Sequence, residues 1–192
     1  MTKKRLILTL IAAFLLLTGC VRTSPALTPT SEPVQPTSSN TPTSTAIYPS
    51  PLYKLHIFAG GHGWAVNVDQ SIFYNTRNFG EHWLTVTPAG LTSNESGWAT
   101  TTSFPNGDIG WICRSETESS ANLFTSTDGG RTWQTLHLDF PCGQISVLNP
   151  DEGYILSDLG VGAGSQYVSL YHTSDGGQTW ELRFEHDPAD PD

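Results

Sequence analysis

Basic residues are scarce in this chain. Nine Lys and Arg stand against eighteen Asp and Glu in 192 residues, and only 14% of positions carry charge. From Pro51 to Asp192 the balance is 5 basic (Lys54, Arg77, Arg114, Arg131 and Arg183) to 17 acidic. Such a surface repels phosphate backbones and lacks a basic stripe, which argues against DNA or RNA as a partner. Long apolar runs are missing too, and no segment keeps a 3.6-residue apolar period. A multi-span membrane protein and a coiled coil are thereby excluded. The six histidines (His56, His62, His82, His137, His172 and His186) show no metal-binding spacing. Gly160-Val161-Gly162-Ala163-Gly164 has neither the Lys-Ser/Thr nor the following helix of a phosphate loop, and reads as a flexible loop between strands. No serine has a strand-to-helix nucleophile context. Neither a cofactor, a metal site nor a catalytic residue is expected.

The N-terminus does carry a signal. Lys3, Lys4 and Arg5 precede an apolar stretch from Leu6 to Leu17, about a dozen residues and too short to span roughly 30 Å of hydrocarbon as a helix. It reads as a signal peptide over residues 1–19. Leu17-Thr18-Gly19-Cys20 resembles a bacterial lipobox. The resemblance implies cleavage before Cys20, diacylglycerol on its sulfur, and an exported protein anchored to the bacterial cell membrane, facing away from the cytoplasm. Residues 20–50 are dominated by Ser, Thr and Pro, a composition that cannot bury enough apolar surface to offset chain entropy. They read as a disordered tether.

Residues 51–192 contain three repeats. Thr76 to Trp83, Ser126 to Trp133 and Thr173 to Trp180 share the frame hydroxyl, any, Asp or Asn, any, Gly, any, Thr or His, Trp, and the final tryptophans lie 50 and 47 residues apart. Upstream markers Gly63-Trp64, Gly110-Trp111 and Gly153-Tyr154 are spaced by 47 and 43. This period fits a propeller blade better than a helical repeat. Short β-rich runs punctuated by Gly, Asn and Asp predict an all-β chain of three four-stranded antiparallel meanders. In the third unit the strands are expected over 144–148, 153–157, 167–172 and 180–185.

The repeated frame resembles the Asp-box, or BNR repeat, of sialidases, sortilin-type receptors and photosystem II assembly propellers. Ser126, Asp128, Gly130, Thr132 and Trp133 match it fully, as do Thr173, Asp175, Gly177, Thr179 and Trp180. The first copy departs from it, with Asn78 for Asp and His82 for Thr, while Gly80 and Trp83 are kept. The resemblance implies a partial β-propeller whose Asp-boxes are structural turns on the rim, away from ligand. On the residues themselves, the aspartates accept backbone hydrogen bonds, the glycines supply positive φ and each tryptophan packs over its hairpin.

Three blades leave two sheet faces and open edges unpaired, where propellers close with four to eight. A homodimer, docking on another propeller protein, a compact three-unit arrangement and a truncated product are the alternatives. Sialidase chemistry requires an arginine cluster, a tyrosine nucleophile and an acid. Arg77 and Arg131 sit at solvent-facing Asp-box positions and Arg183 on an outer strand, so no cluster is expected. Ligand is expected on the face opposite the Asp-boxes, where Asp69, Gln70, Glu116, Glu118 and Asp158 to Gln166 lie with Trp98 of an inter-blade link. Cys113 and Cys142, in an exported chain, form either a disulfide closing a loop of about thirty residues, worth about 3 kcal/mol, or two buried thiols. The function expected is a non-catalytic, surface-anchored module binding protein or glycan. The alternatives are a degenerate sialidase-like hydrolase and a photosystem-type assembly factor.

Overall fold

The computed structural model describes residues 51–91, 100–162 and 165–186, the side chains of 158–162, 165 and 166 aside. Among them the chain is all-β. The first sheet holds β1 (Leu52–Ile57), β2 (Gly63–Asn67), β3 (Phe73–Thr76) and β4 (Leu84–Thr85). The second holds β5 (Thr100–Ser103), β6 (Gly110–Thr117), β7 (Ser120–Ser126) and β8 (Gln134–Leu138). The third holds β9 (Gln144–Val147), β10 (Gly153–Gly162), β11 (Ser165–Thr173) and β12 (Glu181–His186). All pairings are antiparallel and follow chain order, so the sheets are the three meanders expected from the repeats.

Two boundaries differ from the sequence reading. The glycine-rich stretch expected as a flexible loop is mostly strand: β10 runs to Gly162, β11 starts at Ser165, and Gly162 pairs with Ser165. Glycine weakens a strand without forbidding it, because the ladder joins backbone groups. β6 likewise continues to Thr117, placing Glu116 on a strand.

Period-2 alternation gives each sheet two apolar faces. One face of blade one presents Trp64, Val66, Phe73 and Val86, which share a core with Ile112, Phe124 and Trp133 of blade two. The opposite face of blade two presents Trp111, Cys113, Leu123 and Leu136, which join Ile145, Val147, Ile155 and Trp180 of blade three. The same interface is thus built twice. Blades one and two each project a forward set onto the next blade, which meets it with an aliphatic residue, an aromatic and a repeat tryptophan. Trp64 meets Trp133 edge to face at 6.1 Å, and Trp111 meets Trp180 at 6.4 Å.

The Gly-Trp marker has a physical cause in this packing. A Cβ on Gly110 would lie 2.9 Å from the Trp64 ring, and one on Gly153 would lie 3.1 Å from the Trp111 ring. Gly110 and Gly153 thus make room for the indole of the preceding blade. Cys113 and Cys142 form a disulfide, with Cα atoms 6.1 Å apart, that ties β6 to the link entering blade three. The Cys142 amide also donates to Ser115 Oγ at 2.9 Å.

Candidate functional site

At one end of the sheets lie the three repeat turns. Asp128 Oδ1 accepts from Ser126 Oγ at 2.9 Å and from the Thr132 amide at 3.0 Å, while Oδ2 accepts from Thr132 Oγ1 at 2.7 Å. Gly130 N donates back to Ser126 Oγ at 2.9 Å. Asp175 makes the same set with Thr173 and Thr179, at 2.8, 2.9 and 2.6 Å. The Thr179 hydroxyl and amide lead the hydrogen bonds that hold the Asp175 carboxyl at a pKa of about 2. Burial pushes Asp128 upward, but the bonds from Thr132 and Ser126 outweigh it and leave its pKa lowered. With every carboxylate oxygen committed, these groups form clasps and have no proton to exchange near neutral pH.

The divergent first turn closes by a different exchange. Asn78 Oδ1 accepts from Thr76 Oγ1 and the His82 amide, each at 3.0 Å, and Asn78 Nδ2 lies 2.7 Å from His82 Nδ1. An amide donating to a ring nitrogen replaces the carboxylate accepting from threonine, so the paired substitution keeps the clasp. Phe79 takes positive φ (59°) where the other turns have glycine, and its ring is 72% exposed.

The clasp tryptophans do more than cover their hairpins. Trp133 is buried against blade one and donates from Nε1 to Val86 O at 2.7 Å. Trp180 donates within its own turn to Gly177 O at 3.0 Å, and its ring meets Trp111 and Phe140 of the preceding blade and link. Arg77 bridges blades as well: Nη2 lies 2.6 Å from Asp108 Oδ1 and 3.3 Å from Asp128 O. Arg131 donates to Asp128 O, while Arg183 lies against Glu181 and His172. These three arginines therefore sit on separate turns and strands.

The opposite end carries a groove of about 470 Å³ between blades one and two, lined by Tyr53, Lys54, Gln70 and Thr100 to Thr102. Its wall is held by two cations. Lys54 Nζ donates to Thr102 Oγ1 at 2.9 Å, and partial burial lowers its pKa. Arg114, only 6% exposed, donates from Nε to Thr100 Oγ1 at 3.0 Å and from Nη2 to Gln70 O at 3.2 Å. Burial lowers the Arg114 pKa, opposed by the nearby Glu116 and Asp69 charges. Asp69 accepts from Ser71 Oγ at 2.6 Å, a bond that lowers its pKa, and Gln70 holds positive φ (56°) in this turn.

Asp69, Gln70 and Glu116 are therefore gathered around Arg114, while Glu118 lies exposed in the β6–β7 turn. Asp158 and Gln166 fall on β10 and β11 with their side chains outside the described set, and Trp98 lies outside the described residues. Tyr53, Lys54 and the Thr100–Thr102 run are groove residues that sequence reasoning missed. Their signal would have been the strand-initial position opposite the β2–β3 turn.

No protein family matches the chain, and no curated protein does. A solved structure described as "YCF48 bound to D1 peptide" overlays with a TM-score of 0.51 at 23% identity, covering 69% of this chain and 40% of that one. A second, "YCF48 from Cyanidioschyzon merolae", gives 0.46 at 22%, covering 69% and 37%. This chain thus spans about two fifths of the length of the propellers it resembles. The likeness establishes the fold as part of a β-propeller.

Proposed function

We propose that this chain is a non-catalytic binding module, exported and anchored to the cell membrane through lipid on Cys20, that holds an extended polypeptide in the groove between blades one and two. The observation that carries this reading is the groove itself. It lies at the end opposite the clasps, and its hydroxyl, amide, phenol and ammonium groups suit hydrogen bonding to a main chain. Among the described residues the nearby carboxylates, Asp69 and Glu116, are engaged by Ser71 and Asn122, and no acid and base pair faces the groove. A propeller of the same fold carries a bound peptide, which favours polypeptide over glycan as the ligand class. The lipid anchor rests on the leader ending at Cys20.

Two experiments test this. Metabolic labelling with a palmitate analogue should mark the wild-type chain and not Cys20→Ser. A benzophenone amino acid at Tyr53, 66% exposed beside the groove, should give a discrete protein adduct on intact cells, and one at Phe79 on the clasp end should not. Equal adducts from both positions, none from either, or turnover of a sialoside panel would contradict the proposal.

A further inference from the structure

At the clasp end, the seam between blades one and two is closed by side chains that the seam between blades two and three lacks. In the first seam Arg77 Nη2 spans Asp108 Oδ1 at 2.6 Å and Asp128 O at 3.3 Å, and Asn75 Nδ2 donates to Gly107 O at 3.0 Å. Trp64 Nε1 donates to Asn106 O at 2.9 Å. By repeat position and register their counterparts in blade two are Thr127, Thr125 and Trp111. Among the described residues neither threonine hydrogen-bonds to blade three, and Nε1 of the fully buried Trp111 has no partner.

The receiving loop of the second seam is nevertheless built like that of the first. Asn149 Oδ1 accepts from the Asp151 and Glu152 amides, each at 3.0 Å, as Asn106 Oδ1 accepts from those of Asp108 and Ile109 at 2.9 and 2.8 Å. Gly176 N donates to Asp151 O at 2.8 Å, as Gly129 N does to Asp108 O. Asp175 O accepts from Gln178 Nε2, as Asp128 O accepts from Arg131 Nη1, which leaves each carbonyl a second lone pair. At Asp128 that lone pair goes to Arg77. The difference is the space in front of the loop. A Cβ on Gly129 would lie 3.0 Å from Arg77 Nη2 and 3.2 Å from Asn75 Oδ1, whereas one on Gly176 would meet only Pro150 O, at 3.5 Å. Asn75 is 2% exposed, while Thr125 is only partly buried. The Asp151 residue is exposed, and among the described residues no side chain pairs with its carboxylate.

We propose that this notch between blades two and three, framed by the Asp151 carboxylate and the Asp175 carbonyl, binds an arginine side chain of a partner protein. The incoming guanidinium takes the place that Arg77 fills from within the chain at the first seam. Its fixed fork of donors meets a carboxylate and a carbonyl together, which a lysine ammonium, a point charge, does less well. Charge favours the same partner. The 17 acidic residues against 5 basic between Pro51 and Asp192 draw a cationic segment, and Glu152 adjoins Asp151 where blade two has Ile109. The notch lies at the clasp end, away from the groove, and stands whatever the groove holds.

Titration of the full-length, isotope-labelled protein in detergent micelles with the acetylated and amidated peptide Gly-Arg-Gly tests this, read from the backbone amide shifts of Thr127 and Gly176. Both amides should shift and saturate in roughly the millimolar range. Binding should be about tenfold weaker for Gly-Lys-Gly, and about tenfold weaker for Asp151→Asn. Thr127→Arg, which supplies from within the chain the side chain that blade one has, should abolish it. Asp139→Asn, which removes another fully exposed carboxylate, should leave it unchanged. No saturable shift at Gly176, equal affinity for the two peptides, or binding unmoved by Asp151→Asn or Thr127→Arg overturns the proposal. So does a loss from Asp139→Asn as large as that from Asp151→Asn, which would mean attraction to acidity in general. Shifts confined to Thr100–Thr102 overturn it too, by placing the peptide in the groove.

Discussion

At the scale of single residues, the clasps are sites where a short polar side chain replaces part of a sheet's hydrogen bonding. Asp175 is held near a pKa of about 2, against 3.8 for the ordinary group, chiefly by the Thr179 hydroxyl and amide. Since the folded value lies below the unfolded one, the stabilisation is complete above pH 4 and is lost as pH falls toward 2. Asp128 shifts in the same direction. The urea midpoint should therefore stay level from pH 7 to about 5 and fall between about pH 4 and 2, and Asp175→Asn should flatten that fall. A neighbouring glycine pair separates backbone strain from contact. Gly177 (φ +91°) would place a Cβ 2.7 Å from Leu123 of the preceding blade, whereas Gly176 (φ +75°) would meet only Pro150 O at 3.5 Å. Gly177→Ala should cost about 2–3 kcal/mol and Gly176→Ala about 1, compared by equilibrium denaturation.

At the scale of elements, β6 and the link from β8 to β9 are joined by the Cys113–Cys142 bridge across 29 residues. Replacing both cysteines with serine should lower stability by roughly 2–4 kcal/mol, seen as a shift of the urea midpoint, and treating the wild type with reductant should do the same. With only two cysteines between Pro51 and Asp192, this pairing was one of two readings open in the sequence, the other being two buried thiols. The twelve strands were readable too, since Gly-Trp markers and repeat turns bracket each meander. The long β10–β11 hairpin was hidden because glycine composition speaks for loops, while the ladder depends on backbone pairing that composition does not encode. The groove was hidden for a related reason. Arg114 reads in sequence as one of a few scattered arginines, and only the fold sets its guanidinium between Thr100 and the Gln70 carbonyl. Tryptophan spacing located the clasps, yet it does not say that Trp133 reaches Val86 of another sheet.

At the scale of the whole molecule, one blade is written three times and its forward face is covered twice. Thiol-labelling rates at three equivalent outer-strand positions, Val86→Cys, Leu136→Cys and Phe184→Cys, test this most directly. They are to be measured on dispersed protein diluted until copies are apart. The account predicts strong protection at 86, partial protection at 136 and a rate near that of a free thiol at 184, following 1% exposure, partial burial and 54% exposure. Protection at 184 equal to that at 86 would show the face to be covered within a single chain and would contradict the account.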